Sequence, residues 1–549
     1  MSLRPRASCG VERYSRGRDD ISIVFPEKIA DDLRSDNTGD RAGRVCVRRT
    51  AVWFPIKGRL MQTILASCEQ GELLGSSVDG ALVFQDIPYA NDGGRYRDCL
   101  PPASWQGVRD CTGPAPVFPQ LPSRLDFVMG PTAQGVQMSE DAYRLNVYTP
   151  SLAGNLPVLF WIHGGGFVTG GALPCYSGTE LARSGRAVVV TFNYRLGILG
   201  NLCMPGVAAG NFSVTDILRA LDWVRSNIER FGGNPEAITF AGQSAGAWYT
   251  RMLMGMKETA GLARSAAVLS LPGLPPLLPE EAHRIASDFC ALAEFHDPAV
   301  DLRNAPVQVL LDLQARLLAS RAGFGTVPVG FMPVAVDRVA ADPVKQSLRF
   351  APKPVMIGWT RHETGSFFAS NPAAVDATRS MVERVFHAEL GEAGTRHYER
   401  VMQQRPGSTP YAALVELTSY AIFKRPAIEA AGSLAKAGSD VYGYQFDIAS
   451  RQPHVGAGHC FELPFAFGNF DDWTDAPMLA GTSRAFANDL SGMMRSYLMN
   501  FIETGDPNGD DLPAWTRCGP DRIDAMHFAE WVSCYTERPG FSAPETLSR

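Results

Sequence analysis

Apolar residues in this chain gather into short unbroken runs, separated by stretches where they recur every three or four positions. Residues 156–163 (Leu-Pro-Val-Leu-Phe-Trp-Ile-His), 186–193 (Arg-Ala-Val-Val-Val-Thr-Phe-Asn) and 238–241 (Ile-Thr-Phe-Ala) are runs of the first kind. Their length and β-branched content predict strands buried on both faces, as in a parallel sheet. Between the second and third runs, Ile217, Leu221, Val224 and Ile228 share one face of a helix predicted over 213–231 and closed by Gly232-Gly233. Further strands are predicted at 145–148, 266–270, 353–359 and 440–446, and a helix over 485–503, ahead of Gly505-Asp-Pro-Asn-Gly509. Residues 71–90 alternate turn and strand signals and predict a small antiparallel edge. Helical and loop segments alternate from about 275 to 350, as expected of an insertion roofing a site. The fold class is α/β, with a doubly wound, mostly parallel central sheet flanked by helices.

Composition adds bounds. The 549 residues are 45% apolar and 20% charged, with a net charge of −6, which disfavours nucleic acid as a partner. No run approaches the roughly 18 apolar residues of a membrane span. The 11 cysteines show no C-x-x-C or zinc-type spacing and read as free thiols of a reducing compartment, the cytoplasm. Residues 1–60 hold 13 Lys and Arg against 8 Asp and Glu, without periodicity or a signal-peptide core. They read as a flexible or mis-assigned extension, with the folded part starting near Met61. Residues 61–549 contain no linker or repeat and read as one domain.

The run at 238–241 leads into Gly242-Gln-Ser-Ala-Gly246, with an apolar helical stretch following. A G-x-S-x-G turn between strand and helix holds a serine, here Ser244, on a strained corner with its Oγ thrust outward. The run at 156–163 ends in His163-Gly-Gly-Gly-Phe167. Successive glycines let backbone N–H groups converge on a developing negative charge, and Gly165, Gly166 and Ala245 are the expected oxyanion donors. A phosphate cradle does not fit, because no Gly-Lys-Ser/Thr follows.

A serine nucleophile needs a histidine base oriented by a carboxylate. Glu363 lies just beyond the strand at 353–359, where active-site loops collect. The loop after 440–446 holds His454 and His459, and either serves on spacing. His459, bracketed by glycine and an apolar run, is better placed for a semi-buried site than His454 beside Pro453. Phe167, Trp248, Phe367 and Phe368 are candidates for an apolar pocket, against the plainer reading that aromatic residues fill the core. Neither a metal motif nor a dinucleotide fingerprint is visible, so no metal or cofactor is expected.

With these pieces in order, the chain resembles the type B carboxylesterases of the α/β-hydrolase fold, a family that includes para-nitrobenzyl esterases and cholinesterases. The resemblance rests on Phe84-Gln-Asp-Ile-Pro-Tyr-Ala90, Ser139-Glu-Asp141, Asn193-Tyr-Arg-Leu-Gly197, Phe231-Gly-Gly-Asn-Pro235, Glu462-Leu-Pro464 and Thr504-Gly-Asp-Pro-Asn508, besides the motifs above. It implies Ser244 as nucleophile, Glu363 as acid, His459 as base, Ser270 close to them, and a gorge leading to the serine. Three positions depart from the family pattern. Ala142 replaces the cysteine of secreted members, Gln243 stands where glutamate is commoner, and Thr364 where glycine is usual. Ile357-Gly-Trp-Thr-Arg361 and the residues after His459 look most like bacterial members acting on aryl carbamates. The implied function is hydrolysis of a small-molecule ester, with a carbamate or amide hydrolase using the same residues as alternative. A catalytically silent binding relative is disfavoured by the survival of all three residues. The chain specifies no oligomeric state.

Overall fold

In a computed structural model the short apolar runs lie side by side. The structure describes residues 54–56, 59–350, 352–405, 407–473 and 475–537. Sixteen strands follow in chain order: β1 (Phe54–Ile56), β2 (Arg59–Cys68), β3 (Gly71–Val78), β4 (Ala81–Pro88), β5 (Val108–Asp110), β6 (Arg144–Thr149), β7 (Leu156–Ile162), β8 (Val188–Phe192), β9 (Cys203–Met204), β10 (Ala208–Ala209), β11 (Gly233–Gln243), β12 (Ala263–Leu269), β13 (Val355–Thr360), β14 (Val441–Phe446), β15 (Ile523–Phe528) and β16 (Ser533–Glu537). Apart from the β9–β10 ladder they form one sheet in the order β1-β2-β3-β4-β6-β8-β7-β11-β12-β13-β14-β15-β16, with β5 alongside β3. From β8 to β15 every pairing is parallel. The flanks, β2-β3-β4-β6 on one side and β16 on the other, pair antiparallel, while β5 lies parallel to β3.

This is the mostly parallel sheet that the runs predict, and burial explains it. Every residue of β8, β13 and β14 is buried, so each strand needs cover on both faces. One large apolar cluster lies around Phe160, Phe192, Trp223 and Trp248, and a second around Trp161, Phe446, Phe465 and Tyr497. The predicted helix runs Phe212–Asn227, then tightens into a 3₁₀ turn at Ile228–Phe231 and stops at Gly232, whose φ of 75° a side chain resists. The long C-terminal helix spans Arg484–Thr504 and ends at Gly505, φ 83°.

Two strands, β15 and β16, lie where periodicity predicts none. Asp524 and His527 break the apolar run of β15, yet both are buried. Their polar atoms are satisfied from neighbouring strands: Thr536 Oγ1 donates to Asp524, and His527 sits between Asp447 and Glu537. By its contacts the chain divides into residues 1–47, which lie outside the described residues, and residues 48–549. The extension expected over residues 1–60 lies almost wholly outside the described residues, and the boundary near Met61 falls inside β2. No helix among the described residues is long and apolar enough to cross a membrane.

Candidate active site

Parallel strands point all their carboxyl ends to one edge of the sheet, and the chemistry-bearing residues collect there. β11 ends at Gln243 and the next helix begins at Ala245, leaving Ser244 on the corner with φ 59° and ψ −121°. That conformation is strained for a residue with a side chain. The turn is held by Ser244 N–H donating to Leu269 O (2.9 Å) and Trp248 N–H donating to Ser244 O (3.0 Å). The flanking glycines are required by contact: a Cβ on Gly246 would lie 1.9 Å from Ile162 O, and one on Gly242 2.5 Å from Gly246.

Ile162 is the last residue of β7, so the glycine loop starts against this same corner. Gly165 and Gly166 take φ of 114° and 61°, and Phe167 a φ of 68°. A Cβ on Gly165 would meet Thr169 O at 2.0 Å. The Gly165 carbonyl accepts from Val168 and Thr169, which folds the loop into a tight turn. Among the described residues, no hydrogen bond outside helix and strand pairing uses the N–H of Gly165, Gly166 or Ala245. His163 is structural. It is buried, stacked on Tyr194 at 4.2 Å, and burial lowers its pKa to about 4.

Glu363 follows β13 and His459 follows β14, and both are fully buried. His459 Nδ1 lies 2.5 Å from Glu363 Oε2, while Thr360 N–H donates to Glu363 Oε1 (2.8 Å). Two further bonds fix the pair: His459 N–H to Glu363 O (3.2 Å) and Ser366 Oγ–H to His459 O (3.0 Å). With Nδ1–H turned to the carboxylate, Nε2 is an acceptor. It receives the Gln243 side-chain amide at 3.1 Å, and the Gln243 oxygen faces the Cys460 thiol at 3.6 Å. His454, by contrast, is exposed, with its carbonyl accepting from Tyr411.

Ser244, Gln243, His459 and Gly164 to Gly166 line one cavity of about 660 Å³. That is room for a small organic molecule. One side of it is built by residues 120–138 and another by Gln314 to Ala322, so the helical insertion expected over 275–350 does border the site.

Of the aromatic candidates, only Phe367 reaches the cavity wall. Phe167 and Trp248 pack edge to face at 5.8 Å within the core, and Trp248 Nε1 donates to Leu274 O. Phe368 belongs to a third apolar cluster among the helices of 365–417. For these three the plainer reading holds, and their rings fill the core. Their side chains turn away from the cavity because large apolar rings gain most from full burial. Ser270 is likewise off the wall: it is buried, with φ 52°, and its hydroxyl donates to Glu462 Oε1 at 3.2 Å.

Two residues of the site, Phe423 and Arg124, carry no recognisable signal in the sequence. Glu462 is fully buried behind the site, and burial, with the nearby Glu363 charge, raises its pKa to about 7. Phe423 packs on the His459 ring at 4.8 Å. Arg124 is the one Lys or Arg among the cavity-lining residues. Gln243 stands out in the sequence as a departure within the serine motif, and Glu462 as part of Glu462-Leu-Pro464. The described residues contain no cluster of His, Cys, Asp and Glu able to hold a metal.

A hydroxyl on a strained corner and an imidazole backed by a carboxylate open onto one cavity beside a glycine loop, an arrangement suited to acyl transfer. Comparison with known proteins agrees. The model of the carboxylesterase family matches residues 62–536. The chain is 33% identical to phenmedipham hydrolase of Pseudarthrobacter oxydans, over 82% of this chain and 92% of that protein. It is 29% identical to para-nitrobenzyl esterase of Bacillus subtilis, over 81% and 90%. Among solved structures, carboxylesterase EST55 of Geobacillus stearothermophilus superposes with a TM-score of 0.75 at 30% identity, covering 86% of this chain and 98% of that one. A PNB esterase gives a TM-score of 0.74 at 27% identity, covering 86% and 97%. The chain therefore belongs to the carboxylesterase family and is a hydrolase with the α/β-hydrolase fold.

Proposed function

We propose that this hydrolase cleaves carboxylic esters by a two-step acyl transfer, with Ser244 as nucleophile, His459 as base and Glu363 as the group that orients it. Ser244 Oγ attacks the ester carbonyl and its proton passes to His459 Nε2. The oxyanion is held by the N–H groups of Gly165, Gly166 and Ala245. As the carbonyl carbon releases the alcohol, His459 Nε2 protonates the leaving oxygen. Water then repeats the sequence on the acyl-enzyme and frees the acid and Ser244. Glu363 keeps Nδ1 protonated and favours the imidazolium formed in each step. The Gln243 amide occupies the Nε2 lone pair of the resting site, so it gives way to the serine hydroxyl when substrate enters.

The observation that carries this reading is the 2.5 Å contact of His459 Nδ1 with Glu363 Oε2 at a cavity that Ser244 also lines. A carbamate or amide hydrolase using the same residues is the second reading. It is favoured by the relatives phenmedipham hydrolase, a carbamate hydrolase, and "Probable N-octanoylanthranilate hydrolase AqdA2" of Rhodococcus erythropolis, 34% identical over 83% of this chain. A reducing compartment, the cytoplasm, is supported by the thiols: the nine described cysteines are all free and eight are buried.

The test is mass-spectrometric mapping of the adduct formed with a serine-directed phosphonate, together with turnover of a short-chain aryl ester. The adduct is expected on Ser244, and Ser244→Ala should lower kcat by about 10⁶. A loss under about tenfold removes Ser244 from the nucleophile's place.

A further inference from the structure

The cavity wall carries a cation that the reaction above does not use. Arg124 sits in the turn Ser123–Asp126, fixed by Asp126 N–H donating to Ser123 O (3.0 Å) and Leu125 N–H donating to Ser123 Oγ (3.1 Å). Its Nη1 donates to Pro328 O at 2.9 Å, and its guanidinium lies over the Phe367 ring, 5.3 Å from the centroid. A Cβ on Gly166 would lie 3.0 Å from Arg124 Nη2, so the cation stands against one of the expected oxyanion glycines. It makes no ion pair with any described carboxylate, and the acid nearest in sequence on the same wall, Asp126, is not bonded to it. The residue is exposed where it lines the cavity, and the protein atoms packed around it lower its pKa to about 10.

A guanidinium offers five donors in a planar fork matched to a carboxylate, and here one nitrogen alone is engaged, by a carbonyl. An exposed guanidinium on the cavity wall without a protein counter-charge keeps its free donors for an anion that enters the cavity. Phe367, on which it stacks, packs in turn on the His459 ring at 5.2 Å. In the reaction proposed above His459 hands its proton to the departing oxygen, so the leaving alcohol lies on the imidazole's side of the cavity. Arg124 and the imidazole both pack on the Phe367 ring, which brings the cation towards that side.

We infer that Arg124 is an anion subsite and that the preferred ester carries a carboxylate on its leaving-alcohol half, close to the bond that is cut. This rests on the acyl-transfer reading and narrows its substrate class. The aliphatic wall from Ala315 to Ala322 is left for the acyl chain.

The test compares 2-(butanoyloxy)benzoate with its methyl ester, which removes the charge and leaves the reacting bond. For the full-length enzyme, Arg124→Met should lower kcat/KM on the carboxylate by about 30- to 1,000-fold and on the methyl ester by less than about threefold. Arg124→Lys, which keeps charge but loses the fork, should fall between. Salicylate should inhibit the unaltered enzyme at least about tenfold more tightly than methyl salicylate, a reading that needs no variant to fold. Equal losses on both esters, or none on either, together with equal inhibition by the two phenols, overturn the subsite. In that case normal turnover of the methyl ester and phosphonate labelling of Ser244 keep the acyl-transfer reading intact. Absence of turnover with Ser244 unlabelled overturns both.

Discussion

His459 is held more completely than its position in a loop suggests. One ring nitrogen meets a carboxylate that is itself anchored by the Thr360 amide, and the other meets the side chain of Gln243. Phe367 and Phe423 cover the ring at 5.2 and 4.8 Å. A base so placed cannot be replaced by an exposed neighbour five residues away. His459→Ala should therefore lower kcat by about 10⁴- to 10⁶-fold, while His454→Ala stays within about twofold of the unaltered enzyme, measured on one aryl ester. Much of this site can be read from residue order, since the glycines, the serine and the position of Glu363 after a strand each answer a local requirement. Arg124 and Phe423 cannot be found that way. Their meaning depends on which distant side chains stand near them, and no spacing along the chain encodes that.

Among the elements, the helical run from Pro410 to Lys436 illustrates the same limit. It consists of Pro410–Ser419 and Arg425–Lys436 joined by a π turn, Tyr420–Lys424. Pro426 has no N–H to give to Ile422 O, four residues back, and Gly273 N–H takes that carbonyl at 2.7 Å. The widened turn carries Phe423 onto His459. Apolar periodicity does not encode the one-residue swelling that aims a ring. A second junction lies between the loop after β8 and the helix Phe212–Asn227. Arg195 and Asp216 form a buried pair there (2.7 Å), with Arg195 N–H and Nε also donating to Asp216 Oδ2 at 3.0 and 2.9 Å. Asp216→Ala would strand the guanidinium among Tyr143 and Phe212. Urea unfolding should register a loss of about 3–5 kcal/mol.

Across residues 48–549, the sheet is closed at its far edge by charge rather than by an apolar strand. His527 of β15 meets Asp447 at 2.8 Å and Glu537 of β16 at 3.1 Å, and Glu537 also meets Lys424 at 2.8 Å. Burial alone would lower the His527 pKa, but the two carboxylate hydrogen bonds outweigh it and raise it to about 9. A histidine held above its usual value of about 6.5 binds its proton more tightly when folded. Its stabilisation is therefore complete below about pH 6.5 and fades as pH rises through about 9. His527→Gln should unfold more easily than the unaltered protein by on the order of 2 kcal/mol near pH 6, and the gap should close above about pH 9. Thermal or urea unfolding across pH 5.5–10 measures it; a gap that widens with pH contradicts the assignment. The interior strands of this sheet follow from their apolar runs. Its last two do not: buried Asp524 and His527 interrupt β15 and are satisfied only once the sheet is assembled, and β16 is a partly exposed edge without an apolar run.

The contact between Gly246 and the carbonyl of Ile162 joins the corner that bears the serine to the strand that launches the glycine loop, with no room for one methyl group between them. Hydroxyl and amide donors are thus welded into a single rigid part, and natural variation cannot retune one without displacing the other. Divergence towards new substrates has to be written elsewhere, on the segments 120–138 and 314–322. These border the same hollow and take no part in that contact, and they are the places to vary when the enzyme's appetite is to be changed.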